Sequence, residues 1–247
     1  MLNFINHLGS YALMLKSMFG KQASGRMFYK TFMQQCVDIG MGSLPIVIII
    51  SLFLGAVTTV QTAYQLVSPL VPRSTIAQIV RDSMILELSP TVLSIVLAGV
   101  VGSKIASELG NMRVGEQIDA VEVMGINATG YLVLPKILAS LLIMPILVAL
   151  SMVLGIYGGM LAGSASGALD AVTFQTGLRL NVDPYNIKFA FYKAYTFAFI
   201  VSSISCYYGY HVKGGAVEIG KASTDAVITS CILILLADYG LAAVLLP

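Results

Sequence analysis

The chain has 247 residues, of which 57% are hydrophobic and only 11% are charged. A soluble domain carries about 25% charged residues, so this composition excludes an ordinary soluble protein and indicates an integral membrane protein. The net charge of +2 supplies no strong basic field, and we expect no nucleic-acid partner. Cys36, Cys206 and Cys231 lie far apart in apolar surroundings, which predicts free thiols rather than disulfides or a metal site.

The first 43 residues alternate apolar side chains with lysines and arginines. This pattern favours helices that lie in the headgroup region without crossing the bilayer. No charged residue occurs from Ile39 to Pro72, which predicts a first span at about 44–66 with Pro45 in its first turn, where proline is tolerated. We expect Ser68–Leu86, which contains prolines and charged residues, to be an aqueous or interfacial loop with a short helix.

Four further apolar runs predict spans at about 87–106, 131–162, 187–208 and 226–246. The expected fold class is all-α: a polytopic membrane protein with five transmembrane helices, an interfacial segment at 1–43 and a membrane domain at 44–247. The third run is long enough to tilt, to kink at Pro145 or to extend beyond the lipid. Its Gly155, Gly159 and Gly163 form a small-residue stripe that would let another helix approach closely, although glycine is also simply tolerated in membrane helices.

A charged stretch, Gly102–Pro135, separates two of these runs and predicts a water-exposed loop, because its charged side chains would be costly to desolvate. Within it, apolar residues recur with the period of a short amphipathic helix over Val114–Met124, namely Val114, Ile118, Val121 and Met124. Gly125 is the expected C-terminal cap. A helix with one apolar ridge and several carboxylates suits the docking of a partner, and an ordinary interfacial helix is the alternative.

Five spans place the two termini on opposite sides of the membrane. Nine of the 14 Lys and Arg residues fall in the N-terminal segment, the 103–136 loop and the 209–225 loop. By the positive-inside rule, the N-terminus and the 103–136 loop face the cytoplasm.

Three ionisable residues occur in or beside the predicted spans: Glu87, Lys193 and Asp238. Lys193 and Asp238 fall at similar depth when their distances from the span ends are converted with a rise of about 1.5 Å per residue. We hypothesise that Lys193 pairs with Asp238, or with Glu87, because an isolated charge at that depth is costly. The alternative is that Lys193 and Glu87 extend to the outer interface.

Catalytic patterns are missing from the sequence. It contains neither a phosphate-binding loop of the Walker type nor a Ser-His-Asp or His-Glu cluster, so we expect no catalytic residue, no metal and no cofactor on this chain. An aspartyl-type pair formed by Glu87 and Asp238 is a remote alternative.

Three segments resemble the MlaE family of ABC-transporter permeases: LELSP at Leu86–Pro90, AGVVGSKIASELGNMRVGEQIDAVEVMGI at Ala98–Ile126, and CYYGYHVKGGAVEIGKASTDAVITS at Cys206–Ser230. The similarity extends from about Pro45 to the C-terminus. Leu86 and Val100 stand where the family often has arginine, so no role of those arginines carries over.

The resemblance implies a permease subunit of the bacterial inner membrane that moves phospholipids to or from a periplasmic MCE-domain protein. It implies a homodimer, a separate ATPase subunit that binds ATP, and a periplasmic C-terminus. The ATPase-coupling residues would be Arg113, Glu116, Gln117, Asp119, Ala120, Val121, Met124 and Gly125. The lipid cavity between two copies would include Gln61, Leu66, Val67 and Glu87.

Two other functions stay open at this point. A stand-alone ion-coupled secondary transporter or channel would use Glu87, Lys193 and Asp238 as a relay, although no convincing internal repeat supports an inverted-repeat transporter. A membrane scaffold without a transport role is the other alternative.

Overall fold

The computed structural model describes residues 2–18, 20, 25–66, 72–167 and 169–245. Over these residues the chain forms eight helices and no strand. The helices are α1 (Leu2–Ser17), α2 (Gly25–Gln65), α3 (Ser74–Val114), α4 (Gln117–Val123), α5 (Thr129–Ala165), α6 (Ala171–Arg179), α7 (Pro184–Tyr210) and α8 (Ala216–Leu245). By length and composition α2, α3, α5, α7 and α8 can each cross a membrane, so the all-α polytopic fold class is confirmed.

Helix α2 is longer than the first predicted span. It starts at Gly25 and passes without a break through residues 43 and 44. The prediction that Pro45 lies in a first turn is therefore wrong, because Pro45 is inside the helix. Proline removes one backbone donor, and a long helix with favourable residues on both sides can continue through that loss.

Helix α3 also begins earlier than its predicted span. The short helix expected within Ser68–Leu86 is present from Ser74, but the expectation that it is separate from the second span is wrong, since the helix runs continuously from Ser74 to Val114. Two π-helical segments, Met84–Val92 and Ala98–Gly102, lie inside α3, and Pro90 falls within the first. Wider turns of this kind accommodate a residue that interrupts the regular hydrogen-bond ladder, and they are frequent at functional sites.

The predicted water-exposed loop at Gly102–Pro135 is mostly helical. Helix α3 continues to Val114 and α5 starts at Thr129, so only residues 115–128 connect these two helices. This prediction was wrong because the charged residues of the α3 end share the helix with buried Ile105, Ala106 and Leu109, which pack inside the protein.

The helix predicted over Val114–Met124 starts three residues later, at Gln117. Gly115 ends α3, and Glu116 adopts a left-handed conformation with φ 56°, which turns the chain between the two helices. Gly125 has φ 76°, so its predicted role as the C-terminal cap of this helix is confirmed.

The chain divides into two compact units. The first comprises Met1–Gly42, Ile95–Ile143 and Phe197–Ala237, and the second comprises Ser43–Ser94, Met144–Thr196 and Asp238–Pro247. In the first unit, Gly209 of α7 lies so close to α3 that an added Cβ would be 2.6 Å from the carbonyl oxygen of Ala106. This contact fixes α7 beside the end of α3.

The second unit contains the predicted glycine stripe. A Cβ added to Gly55 of α2 would lie 1.7 Å from the carbonyl oxygen of Gly155, and one added to Gly159 would lie 2.5 Å from the Thr59 hydroxyl. The predicted close approach of another helix to this stripe is confirmed. Ser51 and Ser151 are hydrogen-bonded across the same contact, with 2.8 Å between their oxygens.

Candidate functional site

The first candidate site is the hairpin formed by the end of α3, helix α4 and the start of α5. Arg113 at the end of α3 donates a hydrogen bond of 2.6 Å to the Asp119 carboxylate on α4. The Arg113 guanidinium also lies over the ring of Tyr210, 5.8 Å from its centroid. The Tyr210 hydroxyl donates a hydrogen bond of 2.7 Å to Glu122. These contacts hold α4 against the ends of α3 and α7.

Helix α4 has one buried and one exposed face. Ile118 is fully buried and anchors the helix, and Val121 is half-buried. The opposite face carries Val123, which is 89% exposed, and Met124, which is 66% exposed. Val123 was not among the predicted docking residues. Besides Met124, the exposed members of the predicted set are Glu116, Gln117, Asp119, Ala120 and Gly125. The predicted ridge is therefore split: Ile118 faces the protein, whereas Met124 faces outward beside Val123.

Helix α1 is attached to the loop that follows α4. The Asn127 side-chain amide donates a hydrogen bond of 2.7 Å to the carbonyl of Ser17, and its oxygen accepts one of 2.7 Å from Thr129. A cleft of about 640 Å³ lies beside this junction. Its lining includes Leu13 of α1 and Tyr210. The hairpin is thus held on one side by α1 and on the other by α7.

The second candidate site is a charged cluster around Lys193 of α7. The Lys193 side chain is fully buried, and its ammonium nitrogen lies 2.7 Å from a Glu87 oxygen and 2.7 Å from an Asp238 oxygen. It also donates to the main-chain carbonyl of Leu86 at 3.1 Å. Thr91 donates a hydrogen bond of 3.1 Å to Asp238. The structure therefore brings together all three ionisable residues that the sequence singled out.

The geometry of this cluster explains how a buried lysine is accommodated. An ammonium group has three donors, and here the Glu87 carboxylate and the Leu86 carbonyl accept hydrogen bonds from it, while the Asp238 carboxylate lies in ion-pair contact with it. Leu86 and Glu87 lie in the π-helical segment of α3, which also carries Thr91. Two carboxylates face one ammonium, and the Glu87 side chain is 50% exposed whereas that of Asp238 is 18% exposed. Glu87 therefore offers the accessible charge of the cluster.

The residues predicted for a lipid cavity are only partly brought together within one chain. Gln61 is exposed on α2 and lines an apolar concavity of about 490 Å³. Leu66, which directly follows α2, is half-buried against a core cluster that includes Val80 and Phe174. Val67 lies outside the described residues. Glu87 belongs to the charged cluster described above and does not line the concavity at Gln61.

The three cysteines carry free thiols, as predicted. Cys36 and Cys206 are buried, and Cys231 is half-buried. In the part of the chain that the structure describes, no three His, Cys, Asp or Glu residues lie together in a way that could hold a metal ion.

Sequence reasoning missed several residues that shape these sites. Thr91 follows Glu87 by four residues, a spacing that places both on one helical face and could have signalled its role. Tyr210 ends an apolar run far from α4 in sequence, and Asn127 reaches a carbonyl 110 residues away. No local pattern identifies either of these long-range partners.

Five helices of spanning length and an exposed charged hairpin define a multi-pass α-helical membrane protein. The model of the family described as Permease MlaE matches residues 32–244. The chain belongs to the MlaE permease family, as its sequence resemblance implied. It is therefore a membrane permease subunit of an ABC transporter, a class that works with an ATPase partner.

Curated relatives agree with this assignment. A probable ABC transporter permease protein of Rickettsia bellii is 35% identical over 250 residues, which cover 97% of this chain and 96% of the relative. Protein TRIGALACTOSYLDIACYLGLYCEROL 1 of Arabidopsis thaliana, a chloroplastic protein, is 32% identical over 89% of this chain and 62% of its own length. The intermembrane phospholipid transport system permease protein MlaE of Haemophilus influenzae is 28% identical over 99% of this chain and 94% of its own length.

Proposed function

We propose that this chain moves phospholipids between the bacterial inner membrane and a periplasmic MCE-domain protein, driven by a separate ABC ATPase. The name of the Haemophilus influenzae relative, an intermembrane phospholipid transport permease, supports the substrate class. In this proposal the chain works as a homodimer, with the N-terminus cytoplasmic and the C-terminus periplasmic. ATP is bound by the partner, and the chain itself carries no cofactor.

The observation that carries the proposal is the exposed face of α4. A seven-residue helix presents Val123 and Met124 to solvent, beside Glu116 and Asp119, while Ile118 anchors its other side. Exposed apolar residues within a polar rim are the usual composition of a protein contact surface. The ATPase would bind this face, and its movement on binding ATP would be passed to α3 and α5.

The lipid would occupy a cavity between two copies of the chain, lined by Gln61, Leu66, Val67 and Glu87. Helix α2 supports this location because it exposes an apolar face over several turns, at Ile49, Phe53, Val57, Val60 and Tyr64. A wall of this kind suffices for acyl chains, since each methylene kept from water contributes about 0.8 kcal/mol. Glu87, half exposed, would be the charged group nearest to the cargo.

The docking part of the proposal is tested with Val123→Glu. The chain is co-expressed with a candidate ABC ATPase subunit from the same genome, and the ATPase that co-purifies is quantified. Placing a carboxylate in the contact should lower co-purification by more than about tenfold, which corresponds to ~1.4 kcal/mol of binding free energy. Val172→Glu is the matched control, because Val172 is 75% exposed on α6, which belongs to the second unit and is not part of the hairpin. Equal ATPase recovery with both variants would place the docking surface elsewhere.

The cargo is tested by mass spectrometry of lipid retained by the purified complex with and without ATP. We expect phospholipid that is retained without nucleotide and released when ATP is added. An unchanged lipid content would remove the transport role.

The charged cluster favours one second candidate, an ion-coupled transporter that uses Glu87, Lys193 and Asp238 as a relay. Ionisable groups inside membrane segments commonly mark ion pathways. Uptake driven by an ion gradient in liposomes that contain only this chain would support that function instead.

A further inference from the structure

A second ion pair lies further back in the hairpin, away from α4. Lys136 of α5 donates hydrogen bonds to the Glu108 carboxylate of α3 and, at 3.0 Å, to the side-chain oxygen of Gln35 of α2. The Lys136 side chain is 5% exposed and that of Glu108 is 35% exposed. A lysine buried to this degree is stable only when it is paired, so the three side chains form one fixed unit.

The positions of Glu108 and Lys136 are matched along the two arms of the hairpin. Glu108 lies six residues before Val114, the last residue of α3, and Lys136 lies seven residues after Thr129, the first residue of α5. With a rise of about 1.5 Å per residue, these are about 9 and about 10 Å from the respective helix ends. The ion pair therefore joins the two arms at nearly equal distances from the tip of the hairpin.

The contacts at the tip of the hairpin do not replace this connection. Arg113 and Asp119 join α3 to α4, and Tyr210 joins α7 to α4, but neither pair includes α5. Buried ion pairs contribute little net stability compared with apolar replacements, and their clearest contribution is geometric specificity. The hairpin thus has a tip that presents α4 and, further back, the ion pair of Glu108 and Lys136 that connects the two arms; we call this pair the clamp.

We propose that Glu108 and Lys136 are positioning residues that keep the arms in register, so that a displacement delivered at α4 reaches α3 and α5 together. This inference rests on the proposed function, because it gives the clamp a role in energy coupling. Without the clamp, the two arms can move independently, and part of the displacement is absorbed within the hairpin.

The test replaces both charges at once, with Glu108→Met together with Lys136→Met, since an apolar pair of similar size preserves packing and avoids an unpaired buried charge. In the complex with the ATPase, we expect unchanged ATPase binding and an unchanged thermal midpoint. The amount of phospholipid moved per ATP hydrolysed should fall at least about fivefold, the lower range of coupling effects between protein sites.

Three further variants separate positioning from stability. The exchanged pair, Glu108→Lys with Lys136→Glu, should recover most of the coupling, because the Gln35 amide can donate as well as accept. Lys136→Arg, which keeps the charge, should also retain it. Glu218→Met with Lys221→Met removes an exposed ion pair of α8 and should change nothing. If the chain with both Glu108→Met and Lys136→Met moves as much phospholipid per ATP hydrolysed as the wild type, the inference is wrong.

Hydrogen exchange of the chain alone separates failure of the clamp from failure of the proposed function. The variant with both methionine substitutions should exchange faster than wild type in residues 103–114 and 129–136, in detergent and with no ATPase present. Unchanged exchange in both arms would overturn the clamp, whatever the transport result. If the arms loosen but the wild-type complex moves no phospholipid with ATP, then the proposed function fails, and the coupling role fails with it.

Discussion

Replacing Lys193 with methionine tests whether the charged cluster is held together by one ammonium group. The substitution keeps most of the side-chain volume and removes the charge between Glu87 and Asp238. Both carboxylates lie 2.7 Å from the same nitrogen, so their nearest oxygens are at most about 5.4 Å apart, twice that distance. Without the ammonium, two negative charges face each other inside the protein.

The magnitude follows from this separation. Two unit charges about 5 Å apart repel by about 3 kcal/mol at an effective dielectric constant of about 20. Solvent screens part of the repulsion, because Glu87 is half exposed, while the lost attraction to Lys193 adds to the cost. Breaking a buried ion pair by removing one partner typically costs about 3–5 kcal/mol. We therefore expect Lys193→Met to lower the free energy of unfolding by about 3 kcal/mol.

The assay is SDS-titrated unfolding of the purified chain in detergent, with Lys188→Met as the control. Lys188 lies five residues earlier on α7 and is exposed, so its loss should cost less than about 0.5 kcal/mol. Adding Asp238→Asn to Lys193→Met removes one of the facing charges and should recover most of the lost stability. If the free energy of unfolding of Lys193→Met lies within about 1 kcal/mol of the wild-type value, the electrostatic account of the cluster is wrong.

Two further predictions concern packing in the second unit. Gly55→Ala places a methyl group against the backbone of Gly155 and forces α2 and α5 apart. It should lower the free energy of unfolding by about 1–3 kcal/mol in the same assay. Gly42→Ala is the control, because its methyl group meets open space and should not destabilise the chain. Arg81→Met removes a buried guanidinium that binds three main-chain carbonyls at the end of α6, so limited proteolysis and hydrogen exchange should accelerate at 178–183. The exposed Arg179→Met should leave that segment protected, and equal protection in both variants would show that the guanidinium does not hold it.

Several features could be predicted because they depend on local sequence alone. The five spans follow from apolar runs that must satisfy their own backbone hydrogen bonds in lipid. Gly125 was recognisable as a cap because only glycine adopts a positive φ without strain at the end of a helix. The glycine stripe was recognisable for a similar reason, since a spacing of four places small residues on one face.

The boundaries of these helices could not be predicted in the same way. Ser74–Ser83 carries Arg81 and Asp82, which predicted a short helix in a loop outside the second span, yet this segment is the start of α3. The guanidinium of Arg81 is buried against the Asp82 carboxylate and against main-chain carbonyls about 100 residues away. A charged side chain that hydrogen-bonds to carbonyls far away in the sequence does not end a helix. No local pattern identifies those carbonyls.

By itself, the sequence determined the class of protein, the number of apolar helices and the residues able to carry charge. Hydrophobicity and helical period act over a few turns, so these properties can be read without knowing what lies opposite each helix. The tertiary structure decided which charges meet. The sequence predicted that Lys193 pairs with Asp238 or with Glu87, but only the packing of distant helices brings both carboxylates to Lys193. The contact of Lys136 with Glu108 and Gln35 likewise forms only when distant helices pack.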